Sequence, residues 1–444
     1  MSTPQSQNGS IVPSVTLTTA TAIAVADMVG TGVFTSLGFQ VPGIPSGFSL
    51  LMLWVVGGIV AMCGALSYAE LSAAFPRSGG EYNFLSRVYS RAVGFLAGWV
   101  SATVGFAAPV AIAAMAFGDY LQGILPGTPA MLVGLILVWA CSLVLSTGMQ
   151  QSSAFQNIMT GLKILLIVVL VAAGFAVGGG TNISFAPTSA DLGYITSAPF
   201  AVSLVFVMYA YSGWNAATYI SGEIKDPQRN VPRSLIFATL IVMALYVLLN
   251  AAFLYTTPVE KLSGQVKVGL IAGTEIFGPS GGKFVGALIC LGLISSVSAM
   301  MWIGPRVTMV MGEDIPALRY FAQKSASGVP TRALIFQTIM ATIMLVTQSF
   351  ETVVQFIQFS LTLCSFLAVL GVIVLRFTRP DLPRPYRTWG YPVTPIIFLA
   401  IMLWMLVFQV KDKPIESLSG LAMMLAGLVV YFYGLSKGRE NSAA

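Results

Sequence analysis

Asp27 and Lys163 each lie inside a membrane-length apolar stretch of this 444-residue chain. A charge in hydrocarbon is rare and costly, so each is a functional candidate by default. Asp27 stands three residues before Gly30-Thr31-Gly32. A carboxylate there could face a substrate ammonium, a cation or a proton, or hydrogen-bond to unwound backbone. Lys163 lies about nine residues into its stretch, too deep for an easy snorkel to the interface at about 1.5 Å per residue. It could give and take a proton with Asp27 as partner, or serve as a fixed structural cation.

The glycines beside Asp27 have a counterpart. Ser212-Gly213-Trp214-Asn215 interrupts another apolar helix roughly five helices later. Hydrocarbon offers no water to backbone groups freed by such breaks, so irregular backbone there lines a cavity or binds something. Spans 1 and 6 are offset by five, with four helices between them, so the two interrupted helices run in opposite orientations, the pattern of an inverted five-plus-five repeat with a site at the membrane midplane. Freed N–H groups at Thr31, Gly32 and Val33 suit a carboxylate, and freed carbonyls near Ala26, Asp27 and Tyr209 suit an ammonium. A zwitterionic amino acid carries both.

Composition sets the class that must hold these residues. The chain is 56% hydrophobic and 9% charged, whereas soluble domains carry about 25% charged residues. About twelve apolar spans long enough to cross ~30 Å of hydrocarbon as helix are expected. They fall near 15–40, 48–73, 92–120, 129–148, 155–178, 194–221, 233–256, 283–312, 332–348, 352–376, 391–410 and 419–436. The fold class is an all-α membrane protein with helices 1 and 6 broken and two helices added at the C-terminus. One transmembrane domain is expected over 13–436, with repeat 1 over 15–178, repeat 2 over 194–376 and helices 11 and 12 over 391–436. Residues 1–12 and 437–444 are its tails. Nothing alternates in polarity as membrane β-strands do.

Basic residues gather between alternate spans, at Arg77, Arg87 and Arg91, Lys225, Arg229 and Arg233, Arg319, Lys324 and Arg332, and Arg376 to Arg387. The opposite loops hold only Lys261, Lys267, Lys283, Lys411 and Lys413. The positive-inside rule then places both termini in the cytoplasm of a cell-membrane protein. No soluble surface gathers these charges for nucleic acid. Glu70, Glu81, Glu223 and Asp226 are expected to form a charge network at that end with Arg77, Arg229 and Arg306. There is no histidine, and Cys63, Cys141, Cys290 and Cys364 lie within apolar spans. Triads, histidine relays and metal centres therefore lack their residues. No phosphate-binding G-x-x-x-x-G-K-[ST] loop occurs, which disfavours ATP-driven transport. No catalytic group, metal or cofactor is expected.

Val29-Gly30-Thr31-Gly32-Val33-Phe34 resembles the G-[ST]-G-[IV]-F signature of amino acid permeases in the amino acid, polyamine and organocation superfamily. Tyr68 to Leu71 with Phe75 to Tyr82 is similar to that family's junction of helices 2 and 3. Tyr209 to Asn215, running on to Glu223-Ile224-Lys225-Asp226-Pro227 and Arg229 to Arg233, resembles its broken sixth helix and following loop. Leu375 to Tyr386 and Tyr391-Pro392 resemble the loop after helix 10. The form of span 6 is most similar to the L-type amino acid transporter branch and its bacterial relatives.

The resemblance implies alternating-access transport of amino acids or amines by proton symport or exchange, without ATP. It implies that Lys163 takes the place of a sodium ion in sodium-coupled relatives. Tyr209 resembles an aromatic gate, Trp214 a deeper aromatic and Asn215 a polar partner. Ala210, Ser212 and Gly213 complete that segment of the substrate site. Ser101, Ala102 and Phe106 of span 3 and Ser295, Ser298 and Ala299 of span 8 align loosely with substrate-facing positions. Relatives that pair with a glycoprotein through a disulfide carry a cysteine in the loop after helix 3. The loop Gly123 to Thr128 has none, so no such partner is expected, and the chain should act as a monomer or homodimer among membrane lipids. A neutral amino acid is the expected substrate, because alanines and glycines leave room and no carboxylate beyond Asp27 is expected in the pocket. A cationic amino acid or polyamine read by Asp27 is the alternative.

Overall fold

The computed structural model describes residues 15–148, 153–178, 181 and 183–443. The tail expected over residues 1–12 lies outside the described residues. Among those described, nine helices are long and apolar enough to cross a membrane, joined by the shorter apolar helices Ala130–Ser146, Ala198–Tyr211 and Thr331–Thr347. The only β pairing among them is the single bridge Val15 to Ile224. The protein is all-α and multi-pass.

The first span is two helices, α1 (Leu17–Met28) and α2 (Thr31–Thr35), parted at Val29-Gly30. Next come α3 (Gly47–Ala74), the short α4 (Glu81–Val88) and α5 (Arg91–Val100). A widened π-turn over Ser101–Gly105 joins α5 to α6 (Ala107–Ile124). Pro109 has no N–H to offer the Gly105 carbonyl, which is the local reason the ladder loosens there. Then follow α7 (Ala130–Ser146) and α8 (Ser153–Val177). The sixth span is α9 (Ala198–Tyr211) and α10 (Ala216–Tyr219), separated by Ser212 to Asn215. Beyond it lie α11 (Pro227–Thr256), α12 (Val268–Asp314), α13 (Thr331–Thr347) and α14 (Phe350–Thr378). The chain closes with α15 (Val393–Asp412) and α16 (Pro414–Ala443), the latter running through the segment expected to be a tail from 437.

Hydroxyl caps start several spans. Ser46, Ser90, Ser197 and Ser349 each accept a backbone N–H of the first turn, satisfying one of the donors every helix start leaves free. A further helix precedes the eighth span. Gly278 (φ 75°, ψ 177°) breaks the run Val268–Asp314 into two helices, and the one after the break holds the span expected from 283. Lys267 and Glu275 mark the helix before the break as polar, and hydropathy does not count it as part of the span.

The helices segregate by exposure. Leu132, Ile136, Leu165, Phe284 and Leu291 present bare apolar side chains outward, as a lipid-facing belt does. The broken spans are enclosed: α1 packs against α8 and α11, α2 against α9, and α1 against α10. Because the first half of one broken span meets the second half of the other, the two run antiparallel.

Candidate functional site: a cavity at two antiparallel helix breaks

Gly32 sets how closely the breaks approach. A Cβ there would lie 2.4 Å from Ala210 Cα. Gly213 is required twice over, by its φ of +99° and because a Cβ would lie 2.6 Å from Asp27 Oδ2. The backbone carbonyls freed at the breaks are met by side chains from neighbouring spans. Lys163 Nζ donates to the Ala26 carbonyl at 3.0 Å and to Ser296 Oγ at 2.7 Å. Ser296 Oγ lies 3.3 Å from the Val29 carbonyl. Tyr246 Oη lies 2.6 Å from the Met28 carbonyl and 3.1 Å from that of Ala210, bridging both broken spans. Ser212 covers the Tyr209 carbonyl through N–H and hydroxyl.

Ala26 and Tyr209 were expected to offer carbonyls to a ligand, and both are already engaged. Lys163 makes no ion pair with Asp27 within 4.0 Å; it holds the end of α1 through backbone and Ser296. Tyr246→Phe is expected to lower the thermal midpoint of the purified protein and slow its transport cycle. It keeps the ring packed on Trp54 and Tyr211 but removes the hydroxyl that lies between the two carbonyls; Met28 keeps the Gly30 N–H at 2.8 Å, while Ala210 loses its side-chain donor, a cost of about 1–3 kcal/mol.

A cavity of about 70 Å³ opens beside the breaks, room for roughly five or six water-sized groups. Of the residues singled out in the sequence, Asp27, Ser101, Phe106, Ser212, Gly213, Trp214 and Asn215 line it. Gly30, Thr31, Gly32, Val33, Ala102, Tyr209, Ala210, Ser295 and Ser298 do not. Thr31 to Val33 are buried against α9, and Lys163 and Gly30 face a separate cleft of about 10 Å³ behind α1.

Sequence reasoning missed Glu81, Tyr219, Met300, Gln358, Thr362 and Ser365, which also line the cavity. Glu81 was expected in the charge network, yet it is 1% exposed and accepts from the hydroxyls of Tyr68 and Ser365. The φ values of +111° and +48° at Gly79 and Gly80 turn the chain so that Glu81 starts α4 inside the bundle. The Ser78-Gly79-Gly80 run was the available signal. The network keeps the expected Glu223 and Arg306 and adds Asp314, Arg376 and Arg384. Glu70 binds Arg376 at 2.7 Å and Arg384 at 3.2 Å, Arg77 binds Asp314 at 2.9 Å, and Glu223 binds Arg306 at 2.5 Å. Asp226, by contrast, takes φ 46° and caps α11 through its carbonyl.

Aromatic clusters lie around the broken spans. Phe206, Phe39 and Phe350 form a stack with centroids 5.2 and 5.6 Å apart. Phe206 lies one turn before Tyr209, the expected gate. At the basic end, Phe106 meets Tyr219 edge-on at 5.2 Å and Trp214 meets Tyr68 at 4.6 Å.

The sequence profile described as amino acid permease matches residues 15–432. The human large neutral amino acids transporter small subunit 2 is 29% identical over 431 residues, covering 94% of this chain and 80% of the relative. The mouse b(0,+)-type amino acid transporter 1 is 28% identical over 443 residues, covering 95% and 88%. The mouse Asc-type amino acid transporter 1 is 26% identical over 431 residues, covering 94% and 80%. With the profile spanning nearly the whole chain and its motifs at the helix breaks, the protein belongs to the amino acid permease family.

Proposed function

We propose that the chain is a secondary transporter that carries amino acids across the cell membrane by alternating access, through proton symport or exchange. The carrying observation is the cavity between two antiparallel broken spans, lined by Asp27 of the first and Ser212 to Asn215 of the second. Under this reading, Asp27, Ser101, Phe106 and Ser212 to Asn215 contact the substrate. The N–H groups of Thr31, Gly32 and Val33 and the segment Tyr209-Ala210 frame the break. Ala102, Ser295 and Ser298 stand behind that layer as packing around the site.

The repeat is read as 15–178 and 194–376, with both termini cytoplasmic. The arginine-rich end supports that orientation. Lys163 holds the first break, and a proton, where one is coupled, is assigned to Asp27 or Lys163. The loop Gly123 to Thr128 lacks the cysteine of a disulfide-linked partner, which supports action as a monomer or homodimer. The names of the relatives, covering large neutral and b(0,+)-type amino acid transport, support amino acids as cargo. The expectation of a neutral substrate drew partly on a pocket with no carboxylate beyond Asp27, and Glu81 in the lining removes that ground.

Uptake of a radiolabelled amino acid panel into proteoliposomes, with and without a pH gradient, tests the reading. Saturable uptake or counterflow of at least one amino acid is expected. Failure of every amino acid and amine to move would overturn it.

A further inference from the structure

The two carboxylates at the cavity are set differently. Asp27 (6% exposed) follows Ala26, whose carbonyl takes the Lys163 ammonium at 3.0 Å, so a cation stands one residue along the chain from it. Glu81 has no such neighbour. Among the described residues no basic side chain lies within 4.0 Å of it, and none lines the cavity. The arginines of the adjacent end are engaged elsewhere: Arg376 and Arg384 by Glu70, Arg306 by Glu223 and Arg77 by Asp314.

The hydrogen-bonding inventory points the same way. Tyr68 and Ser365 both donate to Glu81 Oε1, while Oε2 is buried without a partner. Asp27 Oδ1 and Gln358 Oε1 are also buried and unpartnered, and all three residues line the same cavity. Gln358 uses its amide donor on Thr362 Oγ1 at 3.2 Å, leaving the carbonyl oxygen free. Buried acceptors left unmatched are costly, and an uncompensated buried charge more so. A ligand rich in donors and bearing positive charge relieves both.

A zwitterionic amino acid offers one ammonium, which Asp27 takes, and leaves Glu81 Oε2 and Gln358 Oε1 without a donor. A dibasic amino acid brings a second cationic donor group for them. We propose that the cavity selects amino acids with a cationic side chain, whose α-ammonium meets Asp27 and whose distal ammonium or guanidinium meets Glu81 Oε2 and Gln358 Oε1. This rests on the amino acid transport proposed above. Met300, Met402 and Leu361 flank the space between. Their apolar surface suits a methylene stem, and the unbranched methionines can yield as the contracted cavity widens around it.

The test uses the full chain in proteoliposomes, competing radiolabelled lysine against unlabelled lysine, ornithine, arginine and norleucine, the last a neutral analogue of lysine's stem. Lysine is expected to half-saturate at a concentration at least ten-fold below that for norleucine. Glu81→Gln should weaken lysine at least ten-fold while leaving norleucine within about three-fold, and Glu81→Asp should restore part of the lysine preference. Equal or better binding of norleucine by the unaltered protein would overturn the inference and leave amino acid transport standing. Loss of lysine and norleucine alike in a folded Glu81→Gln protein would also overturn it, by making Glu81 structural. Absence of transport of any amino acid would instead defeat the transport reading. The lysine and norleucine comparison needs no variant, so it decides the matter even if Glu81→Gln fails to fold.

Discussion

Lys163→Met is expected to cut transport at least five-fold in both pH-driven uptake and gradient-free exchange. The ammonium ties the Ala26 carbonyl, at the last turns of α1, to Ser296 on α12. Methionine matches its length without a donor, leaving that carbonyl bare in a 4% exposed setting. An unmet buried acceptor costs about 1–3 kcal/mol. At 1.4 kcal/mol per factor of ten, the competent arrangement of the break would fall roughly five- to 150-fold in population. Measuring both modes separates the two roles assigned to this lysine. A fixed cation holding the helix is needed in every half-cycle, so exchange and driven uptake fall together. A proton carrier is needed only for coupling, and survival of gradient-free exchange in Lys163→Met would reject the holding role.

Gly32→Ala is expected to be at least as damaging, by a steric route. The new methyl would stand 2.4 Å from Ala210 Cα, 2.5 Å from its Cβ and 3.1 Å from its backbone nitrogen. Two backbones cannot yield as a side-chain tip does, so α2 and α9 must separate. Overpacking of this kind costs about 1–3 kcal/mol or more, and here it also spreads the crossing that Tyr246 bridges. Uptake should fall below a tenth of the unaltered rate, with a lower thermal midpoint in detergent. Because the first clash is with the Ala210 α-carbon, adding Ala210→Gly should not restore activity. Recovery in that double variant would show that the helices meet through side chains alone.

Where the chain leaves regular helix was legible in advance, because the cause is local. Gly30-Thr31-Gly32 and Ser212-Gly213 sit inside apolar runs, and the structure breaks both spans there. Asp27, Trp214 and Asn215 followed from their places beside those breaks, and all three line the cavity. Span positions followed from apolar length, while the short polar helix that precedes the eighth span up to Gly278 was missed because hydropathy discounts it. Tyr246 and Ser296 were missed because nothing in α11 or α12 marks one hydroxyl among many as facing another helix's carbonyl.

Glu81 draws the boundary most sharply. Its composition and its place after Arg77-Ser78-Gly79-Gly80 suggest a solvated carboxylate among arginines. Two left-handed glycines and the packing of α4 against α5 and α14 carry it inside instead, while Glu70, Asp314 and Glu223 take the arginines. The sequence alone determined that this protein crosses a membrane and breaks two of its helices, since apolar length and glycine act within a few neighbouring residues. Which carbonyls remain free, which carboxylates meet a cation and which face the cavity was decided only by the tertiary structure. Many of those pairings join residues more than a hundred positions apart, as Lys163 with Ala26 and Glu70 with Arg376, and a buried charge takes its character from whatever the fold sets beside it.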